Sequence, residues 1–139
     1  MARQRRVLAA GACSIAAMVL FYRPACAFDL NGMWASDTGH CDKIFALKGK
    51  QAAFREDSDM FGSGFIVDAD QIRGRTANCK IIKSRTEGST IHMMSSCATD
   101  IMLSNVELTL KVIAENQIDR VFPGFEGSTF TYFRCPSSR

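Results

Sequence analysis

Six cysteines and two histidines are the residues of this chain best suited to chemistry, and their spacing favours disulfides over catalysis or metal binding. Cys13 and Cys26 lie within the first 27 residues. Cys41, Cys79, Cys97 and Cys135 follow, with 37, 17 and 37 residues between neighbours. Thiolate metal sites use close pairs such as C-x-x-C, and no such pair occurs here. His40, beside Cys41, is expected to be exposed. Four cysteines allow three pairings. Residues 79–85 and 89–96 both read as strands about a Glu87-Gly88 turn, which brings Cys79 nearly opposite Cys97 and leaves Cys41 for Cys135.

Other reactive groups lack a catalytic setting. His92 lies in Thr90-Ile91-His92-Met93, where alternation places it on the face opposite Ile91. A strand histidine of this kind is expected to be a surface or satisfied residue rather than a general base. No G-x-S-x-G, H-E-x-x-H, G-x-x-x-x-G-K-[ST] or G-x-G-x-x-G motif occurs. The Gly62-Ser63-Gly64 triplet precedes an expected strand, so hairpin geometry explains it. The acidic turn Glu56-Asp57-Ser58-Asp59, with Asp68 and Asp70 nearby, does not have the spacing of a calcium loop. Arg73 and Arg75, with Lys80 and Lys83, form a modest basic strip and are read as a solvated face. No enzyme activity, metal or cofactor is expected.

The segment most suggestive of binding is Val121-Phe122-Pro123-Gly124-Phe125-Glu126-Gly127. Two phenylalanines flank a Pro-Gly turn where polar residues are usual. Phe122 and Phe125 either fold back over the core or project as an apolar contact surface.

The first 27 residues set the compartment. Arg3, Arg5 and Arg6 precede an uncharged apolar run, and Arg23, Pro24 and Ala25-Cys26-Ala27 end it. That is the layout of a secretory leader with an A-x-A-like site. The run is shorter than the ~20 apolar residues of a membrane span, so cleavage after Ala27 is expected rather than a lasting anchor. The chain divides into a leader, 1–27, and one domain, 28–139, placed in the periplasm or outside the cell. The whole chain has 17 Lys+Arg against 14 Asp+Glu, but four of the arginines lie in the leader. The mature part carries 13 against 14, a net charge of −1, and no basic block suited to nucleic acid remains.

Period-two patterning dominates the rest. Val106-Glu107-Leu108-Thr109-Leu110-Lys111-Val112 alternates apolar and polar residues, and 129–134 is rich in β-formers. Further strands are expected over 43–47, 51–55, 64–67, 71–75, 79–83 and 90–95, with 98–105 a short helical or irregular connection. Frequent turns argue for an all-β fold: a small antiparallel up-and-down barrel with two disulfides, or a β-sandwich.

Leu30-Asn31-Gly32-Met33-Trp34 has the form L-x-G-x-W, and Arg134 lies in the last strand. In these features the chain resembles the calycin-type barrels, including lipocalins and small bacterial metalloprotease inhibitors. The resemblance implies that Trp34, on the first strand, packs near Arg134 on the last. As residues, Trp34 is expected to plug one end of the core. Arg134 is expected to lie over an aromatic ring or pair with a carboxylate. The functional expectation is a non-enzymatic exported module, monomeric, that binds a protein or a small apolar ligand. A protease inhibitor is the version implied by the resemblance; a structural envelope protein without a pocket is the alternative.

Overall fold

A computed structural model describes residues 27–125 and 127–137. The segment expected to be a leader, with Cys13 and Cys26, lies outside the described residues apart from Ala27. The elements run β1 (Gly32–Ala35), α1 (Cys41–Ile44), β2 (Phe45–Lys48), β3 (Gln51–Phe54), β4 (Gly64–Asp68), β5 (Gln71–Arg73) and β6 (Asn78–Glu87). They continue with β7 (Thr90–Ala98), β8 (Leu103–Ala114), β9 (Gln117–Val121) and β10 (Thr129–Arg134). Two 3-10 turns, Thr38–His40 and Ser58–Phe61, flank α1 and the β2–β3 hairpin.

Eight strands form a closed antiparallel barrel in the order β1-β10-β9-β8-β7-β6-β5-β4. Strand β1 pairs on one edge with β10, Trp34 opposite Arg134, and on the other with β4, Gly32 opposite Val67. That double pairing makes a closed barrel rather than a sandwich, with every strand of the ring paired to a neighbour on both sides over part of its length. The order is up-and-down, interrupted once, between β1 and β4, by residues 36–63.

Side-chain alternation sorts each strand into an inner and an outer face. The inner faces supply a core of Trp34, Val67, Ile72, Ile91, Met93, Leu110, Ile118 and Tyr132. The outward residues Met33, Ala35 and Ile66 would normally meet water. Here they are buried in a second cluster with Ile44, Phe45 and Cys135, flanked by Ala52, Phe54 and Phe61. Residues 36–63 therefore form an outer layer across β1 and β4. The approach is close at Gly64, where a Cβ would lie 2.7 Å from the Trp34 carbonyl oxygen and 2.8 Å from the Phe45 ring.

The two arginines read as a solvated strip instead fasten this layer. Arg73 donates to the Ala52 carbonyl at 2.8 Å, and Arg75 donates to the buried Ser58 hydroxyl at 2.7 Å and to the carbonyls of Arg55 and Glu56. Asp59 lies 3.4 Å from the same guanidinium. The carbonyls of Arg55 and Glu56, beyond the end of β3, and that of Ala52 within it meet these donors, and a forked guanidinium can serve several at once.

One end of the barrel is closed. Arg134 faces inward, its guanidinium 4.3 Å from the Trp34 ring centroid and 5.7 Å from that of Phe28. It donates to the Glu115 carbonyl at 3.2 Å and to the carbonyls of Asp29 and Asn31. The Trp34 indole N–H donates to the Leu30 carbonyl at 2.9 Å. The segment before β1 is thereby drawn across the barrel end. Gly32 makes room: its φ is +128°, and a Cβ there would lie 3.3 Å from the Arg134 Nη1.

Both disulfides pair as the hairpin reading expected. Cys79 and Cys97 are directly opposite in the β6–β7 register, with Cα atoms 3.9 Å apart. Cys41–Cys135 joins the outer layer to the residue after β10, with Cα atoms 5.7 Å apart. Such staples belong to oxidising, extracellular-type compartments.

Three local expectations change. The strand expected over 43–47 begins only at Phe45, because Cys41–Ile44 is a helical turn closed by the Phe45 N–H on the Cys41 carbonyl. That turn brings Ile44 into the outer cluster and Cys41 to Cys135. The connection expected over 98–105 is the irregular one and shorter: Thr99 donates its N–H to the Met102 carbonyl in a turn over 99–102, and β8 starts at Leu103. Strand β9 went unrecognised, its five residues holding two charges, Asp119 and Arg120.

The loop-closure account of disulfides sets their relative weights. With sequence separations of 94 and 18, replacing Cys41 and Cys135 together by Ser should cost ~4–5 kcal/mol, and replacing Cys79 and Cys97 ~3 kcal/mol. Urea unfolding of the two double variants checks this, and a larger loss from the Cys79/Cys97 pair would contradict it.

Candidate functional site: the open end of the barrel

The two barrel ends differ. The turns after β4, β6 and β8, and the end of β10, lie at the Trp34–Arg134 end. The connections 74–77, 99–102 and 122–128 lie at the other, together with the start of the outer layer. At that second end the interior opens into a cavity of about 330 Å³. Its walls include Phe65, Ile72, Met93, Val106, Leu108, Leu110, Tyr132 and the Cys79–Cys97 bridge. The volume lies at the lower end of small-molecule sites, ~300–1,000 Å³.

Alternation on β9 and β10 explains the layering. The inward residues of β10 are Phe130, Tyr132 and Arg134, in order from open to closed end. Tyr132 packs edge-on against Phe65 at 5.0 Å, and Phe65 stacks with Trp34 at 6.4 Å. These rings form the cavity floor, above the Arg134 cap. On β9, Ile118 is in the core and Arg120, two residues on, reaches the cavity wall near the mouth. Among the described residues lining that wall, Arg120 is the one charged side chain.

The rim is apolar. Ile101 is 95% exposed, and Met102 and Leu103 follow it; on the neighbouring β9–β10 connection Phe125 is 70% exposed, and Phe130 at the start of β10 is 61% exposed. Phe122 and Phe125 take different positions. Phe122 is half-buried, edge-on to Phe130 at 5.6 Å and under the Arg120 guanidinium at 4.8 Å, whereas Phe125 projects from the tip. The Pro-Gly turn thus divides the pair. Arg120, Ile101, Met102 and Leu103 were not singled out from sequence. A charged residue in phase with a buried one, as Arg120 is with Ile118, is the signal that could have revealed the first.

A second arrangement bears on catalysis. The His92 Nε2 lies 3.6 Å from a Glu87 carboxylate oxygen, and its Nδ1 lies 3.5 Å from the Thr109 hydroxyl. His92 and Thr109 are directly opposite in the β7–β8 register, so the contact follows from pairing. Thr109 is buried, and Glu87 is shared with Arg85 at 3.4 Å. This gives a polar cluster on the outer wall with no accessible nucleophile.

Outside the barrel a groove of about 550 Å³ runs beside the outer layer, and its charged lining residues, Asp59 and Arg75, are paired with each other. Among the described residues no group of three or more His, Cys, Asp or Glu could hold a metal ion, and no helix is long and apolar enough to cross a membrane. No family model, curated protein or solved structure matches the chain.

The unequal burial of the two phenylalanines predicts unequal effects. Phe125→Ser should leave the melting temperature nearly unchanged. Phe122→Ser should cost about 1–2 kcal/mol through the lost edge and cation contacts. Thermal melts of the two single variants decide it, and equal destabilisation would show that the tip residue also packs.

Proposed function

We propose that this protein is an exported, non-enzymatic barrel that holds a small apolar ligand in its open-ended cavity. The observation that carries the reading is the asymmetry of the interior. One end is sealed by Trp34 and Arg134, and the other opens, through an apolar rim, onto an unfilled apolar wall. A barrel serving only as an envelope spacer would gain stability from a filled interior, since each unfilled volume forfeits packing contacts. The two disulfides support work in an oxidising compartment, and the expected leader would place it in the periplasm or outside the cell. The placement of Trp34 beneath Arg134 is the arrangement implied by the calycin resemblance, and it supports that kinship as part of this proposal.

A second reading has its own support. Ile101, Met102, Leu103 and Phe125, on two neighbouring connections, are exposed apolar tips suited to gripping a protein, a protease being the version the resemblance implies. Filling the cavity separates the two. Leu108→Trp adds bulk to the wall without touching the rim.

The neutral fluorophore N-phenyl-1-naphthylamine should bind the wild-type protein one to one with enhanced emission. Leu108→Trp should weaken that binding at least about tenfold, as expected when a pocket contact of several methylenes is lost, with little change in melting temperature. Absence of binding by the wild-type protein would reject the ligand reading and leave the rim as the site.

A further inference from the structure

We infer that the ligand is a single-chain amphiphile with an anionic head, carried tail-inward with its carboxylate on Arg120; this rests on the cavity reading above. Arg120 stands opposite Leu110 on β8 and Phe130 on β10, so it is set into an apolar part of the wall. Its guanidinium lies over the Phe122 ring, and the ion pairs of the described residues do not include it. Holding a cation half out of water is costly unless an anion or several acceptors meet it. A planar carboxylate can meet the guanidinium with two parallel hydrogen bonds.

Position fixes the orientation. Arg120 is near the mouth, while the floor is made of Phe65 and Tyr132 and the walls of Ile72, Met93, Leu108 and Leu110. A head-inward ligand would place its charge against those rings and leave Arg120 beside the chain. A cationic head would meet repulsion at the mouth. The cavity, about 330 Å³, holds about eleven water volumes at ~30 Å³ each. That suits a chain of about ten carbons with the head at the rim. The exposed apolar tips Ile101, Phe125 and Phe130 extend the apolar path outward for a longer tail or for its entry.

The test displaces N-phenyl-1-naphthylamine from the purified protein, both disulfides intact, with decanoate, decanol or decyltrimethylammonium. In the wild type, decanoate should compete at least about tenfold better than decanol, in line with a charge-assisted bidentate contact, and the cation should compete worst. Arg120→Gln should bring decanoate down to decanol while leaving decanol within about twofold, and Arg120→Lys should keep part of the preference. Equal competition by decanoate and decanol in the wild type would overturn the inference, with no variant needed. So would an equal loss for both ligands in Arg120→Gln. Decanol displacement without anion preference would reject only the head-group assignment; no probe binding at all would reject the cavity reading with it.

Discussion

Gly32–Ala35 is hydrogen-bonded on both edges, and the ring exists because this four-residue strand can hold β10 and β4 together. So short a strand has few ladder bonds, and packing on both faces compensates. On the inner face Trp34 is fully buried under the Arg134 guanidinium. On the outer face Met33 and Ala35 lie beneath Ile44 and Phe45. Cys41–Cys135 then links that outer layer to the end of β10, beside the seam. Each device acts where the barrel would otherwise open.

Residues 36–63 take their meaning from this constraint. Their short helix, hairpin and 3-10 turns bury too little apolar surface to be stable apart from the barrel. Laid on β1 and β4, they cover side chains that alternation would leave in water. Arg73 and Arg75 donate to carbonyls and a hydroxyl of that layer. The arginines that look like a surface strip in the sequence are part of the closure.

Closing one end so thoroughly makes the ends unequal. The rings from Trp34 through Phe65 to Tyr132 fill the lower interior, and the described side chains do not extend that filling to the mouth. Long strands β6, β7 and β8 rise past the core and carry apolar inner faces, Met93, Val106 and Leu108 among them, into the open part. Among the described residues this apolar wall carries one charge, Arg120, set above the ring floor. The proposed ligand follows that arrangement.

By itself the sequence determined the all-β class, most strand positions and the turn at Glu87-Gly88, and through that turn it favoured, among three pairings, the two that the structure shows. All of these follow from local periodicity and turn chemistry, which act over a few residues. Gln117–Val121 escaped because a five-residue strand with two charges has no clean alternation. The helical turn Cys41–Ile44 escaped because its geometry answers to a disulfide partner 94 residues away. Phe122 and Phe125 were legible as unusual, yet which of them packs depends on Phe130 and Arg120 from neighbouring strands. Only the tertiary structure decided between barrel and sandwich, opened one end and sealed the other, and turned Arg120 toward the interior. Those outcomes depend on which distant faces meet, and one strand's pattern carries no record of what stands across from it.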